Sequence, residues 1–491
     1  MLDSKQYTLL TVCLATFMLL IDITVVNVAL PDIQADLDSS FADLQWVVDA
    51  YALTLAALLL TAGSLADLFG RRRIFVTGLL LFILASLLCG LAHTPTLLNV
   101  ARAGQGIGGA GMFATSLAIL ASAFEGQERA KAIGIWGATI GFSVAMGPLV
   151  GGVLTEGLGW EWIFFVNIPV GLGTAWLALR HVEETRNPAQ TRVDWGGLVT
   201  FSGALFLLVF ALIQANDHGW GSADIVARFA GAALLLAAFV VIERRVEQPM
   251  LDLTLFRKPS FTGAAIAAFA LSASMFAMFL YLTLYMQNVL GYGPLEAGLR
   301  FLPLSLLSFV VAPVVGNLTA KVPVRIFLGA GLLMVAFGLL LMRGIEVGSG
   351  WTTLLAGFMV AGAGIGMTNP AIATAAVGVV EPARSGMASG INTTFRQVGI
   401  ATGIAALGAL FESRVTSKVT DALASTPAAG SADDIGTAVA SGGPRAVVGQ
   451  APPAMRDQLE AIARESFISG LNEILLVSMC VAAVGGILAL A

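Results

Sequence analysis

Charge is what this chain has least of. Lys, Arg, Asp and Glu supply 12% of its 491 residues, about half of the roughly 25% found in a soluble domain. With 57% hydrophobic residues and a mean hydropathy of +0.86, it reads as a polytopic helical membrane protein. Histidine and cysteine are nearly missing too. His93, His181 and His218 lie far apart, and Cys13, Cys89 and Cys480 all sit in apolar runs, so no metal-ligand or disulfide spacing arises. There is no GxxxxGK[ST] phosphate loop, which excludes ATP hydrolysis by that route. G-x-G-x-x-G does occur at Gly104, Gly106 and Gly109, but without the strand a dinucleotide site needs, so these glycines read as helix packing. With no nucleophile–base set either, neither an enzyme nor a cofactor, metal or nucleic-acid binder is indicated.

Apolar runs are there instead. Fourteen can cross a bilayer, near 8–30, 45–66, 74–93, 97–120, 130–154, 162–180, 195–215, 226–243, 260–288, 296–319, 324–342, 352–376, 385–411 and 466–490. Each suits a hydrocarbon core of ~30 Å at ~1.5 Å per residue. The 55 glycines allow membrane helices to approach closely. Basic residues set the orientation. With the N-terminus inside, the inner loops hold Arg71, Arg72, Arg73, Arg129, Lys131, Arg180, Arg244, Arg245, Lys321, Arg325 and Arg384, whereas the first outer loop, 32–44, has four Asp and no Lys or Arg. Both termini are then cytoplasmic, in a plasma membrane. The outer segment 412–465 is an exception in charge, but long loops translocate largely regardless. Its Ala/Ser/Gly/Pro-rich middle, 425–453, is expected to lack fixed structure, with 415–423 and 454–464 able to continue as short helices.

The chain also repeats. GSLAD at 63–67 resembles GNLTA at 316–320, AGQGIG at 103–108 resembles AGAGIG at 361–366, and ERAKAIGI at 128–135 loosely matches ARSGMASGI at 383–391. The order is kept, which predicts two six-helix bundles, 1–182 and 259–491, joined by a linker, 183–258, that carries two inserted spans. Those two spans are nearly free of buried polar groups and are expected to face lipid, outside any pathway.

A few charges and glycines stand out against this background. Asp22 lies inside the first span, where a carboxylate costs roughly 2.5–3.5 kcal/mol on insertion scales and is a functional candidate by default. Such a group can take up and release a proton as its surroundings change; alternatively it only ties helices together. Arg102 falls in the outer half of the fourth span, at a similar height, and pairing with Asp22 is its economical solution, with snorkelling as the alternative. Gly63, Asp67, Gly70, Arg71 and Arg72 close the second span and open the third, a cluster able to latch helix ends in one state and release them in another. In the fifth span Gly147, Pro148, Gly151 and Gly152 make either a bend or a rigid packing seam. Glu296 and Arg300, spaced i, i+4, are expected to pair. Asn27, Gln105, Phe142, Asn167, Gln287, Asn392 and Arg396 are polar or aromatic residues inside spans and are candidates for a substrate cavity.

Together these stretches resemble the major facilitator superfamily, and within it the fourteen-helix drug:proton antiporters. DITVVNVALP at 22–31 is similar to that branch's first-helix signature, 63–73 to the superfamily loop motif, 102–109 to its fourth-helix motif, and Gly147-Pro148 with Gly151-Gly152 to the antiporter motif of helix five. The segment 285–303 and Arg396 also fit the branch. The resemblance implies two bundles rocking about a central cavity and proton-driven export of lipophilic, in some cases cationic, drugs or antibiotics. Asp22 and Arg102 would couple protons, and Asp67 with its arginines would control the inner gate. The second copy of the loop motif has Ala320 where the first has Asp67, so a matching second latch is not implied. A proton-coupled exporter or flippase of an endogenous metabolite or lipid precursor would share the scaffold.

Overall fold

The computed structural model describes residues 3–39, 41–187, 192–319, 321–381, 384–426, 428–444, 447 and 455–490. Ala320 lies outside them, and the side chains of Asn27 and Pro148 are likewise not described. Among the described residues every regular element is a helix. The first half comprises α1 (Ser4–Leu37), α2 (Phe41–Phe69), α3 (Arg71–Gly90), α4 (Pro95–Ala123), α5 (Gly126–Leu158), α6 (Trp162–Phe165) and α7 (Asn167–His181). Two inserted helices follow, α8 (Trp195–His218) and α9 (Ala223–Glu243). The second half comprises α10 (Pro259–Leu271), α11 (Ala277–Leu284), α12 (Pro294–Leu318), α13 (Val324–Met342), α14 (Leu355–Gly378), α15 (Ser385–Leu423), α16 (Ala432–Gly442) and α17 (Arg456–Leu490). Thirteen helical stretches among the described residues are long and apolar enough to cross a membrane; α10 and α11 belong to one of them, joined through a π-turn. With α5, itself 33 residues long, the candidates number thirteen to fourteen.

Local chemistry sets the helix starts. Asp3 and Gln6 form a capping box on α1, with Gln6 N donating to Asp3 Oδ1 at 2.7 Å and Asp3 N to Gln6 Oε1 at 3.1 Å. Thr94 caps α4 by accepting from Leu97 N at 3.3 Å, just ahead of Pro95, whose missing N–H costs nothing there. The helix ends sort into two layers. At the basic end Lys5 pairs with Glu128 at 2.9 Å and Ser4 Oγ donates to His181 O at 3.2 Å. At the opposite end Trp160 Nε1 donates to Asp36 Oδ2 at 3.1 Å and Asn99 Nδ2 to Asp43 O at 3.3 Å. The start of α1 and the end of α17 share the basic end, since Leu490 packs on Gly329 near the start of α13.

Burial follows the two halves. One apolar cluster is drawn mainly from α1–α5 and α7, and a larger one from α10–α17. Ala373 and Val377 of α14 belong to the first cluster, so the halves interlock near the basic end. There α5 meets α12 through small residues: a Cβ on Gly134 would lie 3.0 Å from Ala312 O and 3.2 Å from Gly316 Cα. Lipid tails are as apolar as leucine, so close van der Waals packing of this kind, rather than exclusion of water, holds membrane helices together.

Four expectations are corrected. The outer segment is not a free loop. Helix α15 runs on to Leu423, α17 starts at Arg456, and the described part of the middle contains α16. Ala432 and Val439 of α16 are buried in the same cluster as Val415 and Val419 of α15 and Leu459 and Ala463 of α17, so packing fixes what the composition left open. The first outer loop shrinks as well, because α1 extends to Leu37 and α2 begins at Phe41. The inserted helices are not both lipid-facing passengers. Helix α9 is largely exposed, but α8 lies along α2 and α15, with Thr61 Oγ1 and Ser202 Oγ 2.8 Å apart. Near the basic end Asp194 and Glu243 are buried, and their carboxylates accept from the backbone N–H of Gly197 and Leu251. Finally, Arg300 does not bond the Glu296 carboxylate; it donates to the Glu296 carbonyl at 2.8 Å and lies 3.5 Å from the Tyr292 ring centroid, where cation–π attraction holds it.

Candidate functional site

Asp22 is wholly buried on α1, and Arg102 comes to it from α4 as their heights suggest. Arg102 Nη1 donates to Asp22 Oδ2 and, at 2.7 Å, to Gln105 Oε1, while its Nε donates to Val47 O of α2 at 2.8 Å. Its guanidinium also lies 4.5 Å from the Tyr51 ring centroid and 5.8 Å from that of Phe164. The other carboxylate oxygen, Asp22 Oδ1, accepts from Gln105 Nε2 at 3.1 Å and Asn167 Nδ2 at 2.8 Å. Ser86 Oγ of α3 closes the ring, accepting from Gln105 Nε2 at 2.8 Å. The break between α6 and α7 at Val166 puts Asn167 in the first turn of α7, beside Asp22. Three side chains, Arg102, Gln105 and Asn167, thus bond one carboxylate in the interior of the first half, with Ser86, Tyr51 and Phe164 behind them. Removing one partner of a buried pair like this costs about 3–5 kcal/mol.

This corrects two cavity candidates. Gln105 and Asn167 do not face the seam between the halves; they are partners of Asp22, because the interior of the first half offers them a charged acceptor. Tyr51, Ser86 and the Val47 carbonyl were not foreseen, since a hydroxyl or a backbone oxygen in an apolar run leaves no distinct sequence signal. Phe142 does sit on the seam, its ring centroid 6.0 Å from that of Phe17 and 5.7 Å from that of Phe309. Gln287 lies apart from these, in a π-turn, Tyr285–Val289, near the end opposite the arginines. Asn392 and Arg396 are buried one turn apart on α15, where Arg396 Nη2 donates to Asn369 Oδ1 of α14 at 2.9 Å. Gly147, Gly151 and Gly152 are buried on α5; a Cβ on Gly151 would come within 2.9 Å of Val25 Cγ2 of α1.

The second cluster lies at the basic end. Asp67 and Arg71 are both buried and pair at 2.9 Å. Asp67 also reaches across the halves. Its Oδ1 accepts from Gly386 N at 3.2 Å and its Oδ2 from Met387 N at 2.9 Å, both in the first turn of α15. That places a carboxylate on orphan N–H groups at the positive end of a helix dipole, a cap supplied by another helix. Gly63, one turn earlier, lets the two backbones touch: a Cβ there would lie 2.6 Å from Gly386 O. A similar device starts α3. Gly70 has no side chain to cap it, and Glu184 instead accepts from Arg72 N at 3.0 Å and Arg73 N at 3.2 Å. Gly70 has φ +114°, a left-handed value open to glycine. Gly70→Ala should therefore destabilise the fold by about 1–3 kcal/mol, read as a lowered thermal unfolding midpoint of the purified protein; an unchanged midpoint would contradict it.

An all-helical bundle with thirteen to fourteen candidate crossings, two halves and two buried ion pairs within the first of them, Asp22–Arg102 and Asp67–Arg71, fits a multi-pass membrane transporter rather than an enzyme. The family model of the Major Facilitator Superfamily matches residues 12–404, and the chain belongs to that superfamily. Among its relatives is the multidrug resistance protein Stp of Mycobacterium tuberculosis, 38% identical over 494 residues, covering 98% of this chain and 90% of that one. The tetracenomycin C resistance and export protein of Streptomyces glaucescens is 34% identical over 492 residues, with 98% and 90% coverage. The cephamycin export protein of Amycolatopsis lactamdurans is 38% identical over 405 residues, with 81% and 83% coverage. The crystal structure of the human organic anion transporter MFSD10 aligns over 98% of this chain and 100% of that one, with a TM-score of 0.63 at 13% identity, a likeness of fold alone.

Proposed function

We propose that this protein exports lipophilic drug- or antibiotic-like compounds, cationic ones among them, in exchange for protons, by alternating access between its two halves. The basic end and both termini face the cytoplasm. The proton gradient is the energy source, with no ATP and no bound cofactor. The observation that carries this reading is the buried Asp22, bonded to Arg102, Gln105 and Asn167 within the first half. All three groups facing its oxygens are N–H donors. They suit a carboxylate, whereas a carboxylic O–H would have no acceptor among them. Loading a proton therefore requires Arg102 to withdraw or the Gln105 or Asn167 amide to turn its oxygen inward, which ties protonation to rearrangement around Asp22. The export activities named for the relatives support the substrate class.

The test is a toxicity and dye-accumulation panel in a host lacking its own pumps. Expression should raise tolerance to several lipophilic antibiotics and dyes by about fourfold or more, and a protonophore should erase the gain. Protonophore-insensitive tolerance would overturn proton coupling. No tolerance to any compound would overturn drug export in favour of an endogenous metabolite or lipid precursor.

A further inference from the structure

The second half contains a buried arginine that is arranged very differently from Arg102. Arg396 is buried on α15, yet no carboxylate meets it among the described residues, where Arg102 has Asp22. Among the described residues it hydrogen-bonds from Nη2 to Asn369 Oδ1, at 2.9 Å. Arg396 Nη1, Asn369 Nδ2 and Asn392 Nδ2 have no partner among the described residues. The three side chains belong to residues only 4%, 1% and 7% exposed. Asn392 and Arg396 stand one turn apart on the same face of α15, and the Asn369 bond places α14 against that face. Opposite Asn369 is α5 of the first half: a Cβ on Gly137 would lie 3.6 Å from Asn369 Cβ. The cluster therefore sits where the two halves meet.

Every unpartnered atom in this cluster is an N–H donor, and one donor carries a full charge. Buried donors left unpaired, and a buried guanidinium left uncompensated, are costly. A side chain that only capped a helix would bond a backbone carbonyl, and Arg396 bonds an amide side chain instead. A water molecule would satisfy donors without offsetting the charge. An oxyanion does both, and a guanidinium flanked by amides is a suitable fork for one. We infer that Arg396, Asn369 and Asn392 form a substrate subsite for an ionised oxygen, the carboxylate, phenolate or enolate of the transported compound. The inference rests on the export reading and narrows it: beside Asp22-linked proton exchange, this site favours compounds with an anionic oxygen and disfavours a cation at the same point.

The test measures binding, so it can fail separately from export. Purified full-length protein in lipid nanodiscs is titrated with benzoate, 2-naphthoate and 9-anthroate and with their methyl esters, which keep the ring and remove the charge. The acids should bind at least about tenfold more tightly than the esters, the range expected for one charge-assisted bond. Arg396→Gln should erase that ratio, and Arg396→Lys should restore part of it. Asn392→Asp, which supplies a carboxylate one turn from Arg396, should also abolish acid preference and raise the thermal unfolding midpoint. No acid preference in the unaltered protein, including no binding of either form, would overturn the subsite. So would a preference that survives Arg396→Gln, which would place the anion on another group. Failure of drug export in cells with acid-selective binding intact would overturn the export reading alone.

Discussion

Asp22→Asn should abolish substrate-driven proton movement while leaving a folded protein. Asn matches Asp in size, and its remaining carbonyl oxygen can still accept from Arg102. Its amide N–H₂, however, would point at the donors of Gln105 or Asn167, whose nitrogens now lie 3.1 and 2.8 Å from Asp22 Oδ1. The charge that offsets Arg102 is lost, and with it the carboxyl group that can carry a proton between ionised and neutral forms. In proteoliposomes with a trapped pH-sensitive dye, the proton release that follows substrate addition should fall to background, a loss of about 100-fold or more. Arg102→Ala should be worse for folding, because it strands a buried carboxylate and breaks the bond to Val47 O; a penalty of about 3–5 kcal/mol is expected. The double substitution Asp22→Asn with Arg102→Gln should recover much of that stability without recovering transport, since both halves of the pair become neutral. Unchanged proton release in Asp22→Asn would remove Asp22 from the mechanism and leave the pair as a structural tie.

How far these features could be read from the sequence depends on the kind of partner each residue takes. A charge in an apolar run must find a counter-charge, so counting residues from the span ends was enough to bring Asp22 and Arg102 to one height. Uncharged polar residues carry no such constraint. In a membrane helix both the inner face of a half and the seam between halves are buried, and periodicity does not separate them; Gln105 and Asn167 therefore read as seam residues although they bond Asp22. Backbone partners leave no sequence trace at all. The run Arg71–Arg73 explains why Asp67 has a neighbour of opposite sign, yet its cross-half partners are the N–H groups of Gly386 and Met387. In 425–453 the small-residue composition hid a short apolar pattern at helical spacing, Ala432, Ile435 and Val439, and α16 packs that face against α15 and α17. The two-half architecture, by contrast, was legible from three short repeats in register.

Gly63→Val should be about as damaging as Asp22→Asn, but by a different route. The α2 and α15 backbones touch at Gly63, where an added Cβ would sit 2.6 Å from Gly386 O, closer than real carbon atoms approach a carbonyl oxygen. Backbone cannot rotate away as a side chain can, so the helices must part. Parting them pulls the Asp67 carboxylate off Gly386 N and Met387 N, now 3.2 and 2.9 Å away. Two bonds to a charged acceptor and a favourable dipole contact are then lost. A coupling of about 3 kcal/mol shifts a two-state equilibrium about 150-fold, enough to hold the basic end open through most of the cycle. Tolerance to exported compounds should drop to that of cells without the protein. The opening itself can be measured. In a background with Cys13, Cys89 and Cys480 replaced by Ala, Met387→Cys reports on a buried seam position, and its labelling by a water-soluble maleimide should rise at least about tenfold when Gly63→Val is added. Asp67→Asn should give an intermediate result, because it keeps the oxygen but removes the charge that attracts both Arg71 and the helix end. If Gly63→Val left labelling and tolerance unchanged, the contact would be ordinary packing, and the gate would have to lie elsewhere along the seam, with the α5–α12 approach at Gly134 and Gly316 next in line because it joins the same two halves through backbone rather than side chains.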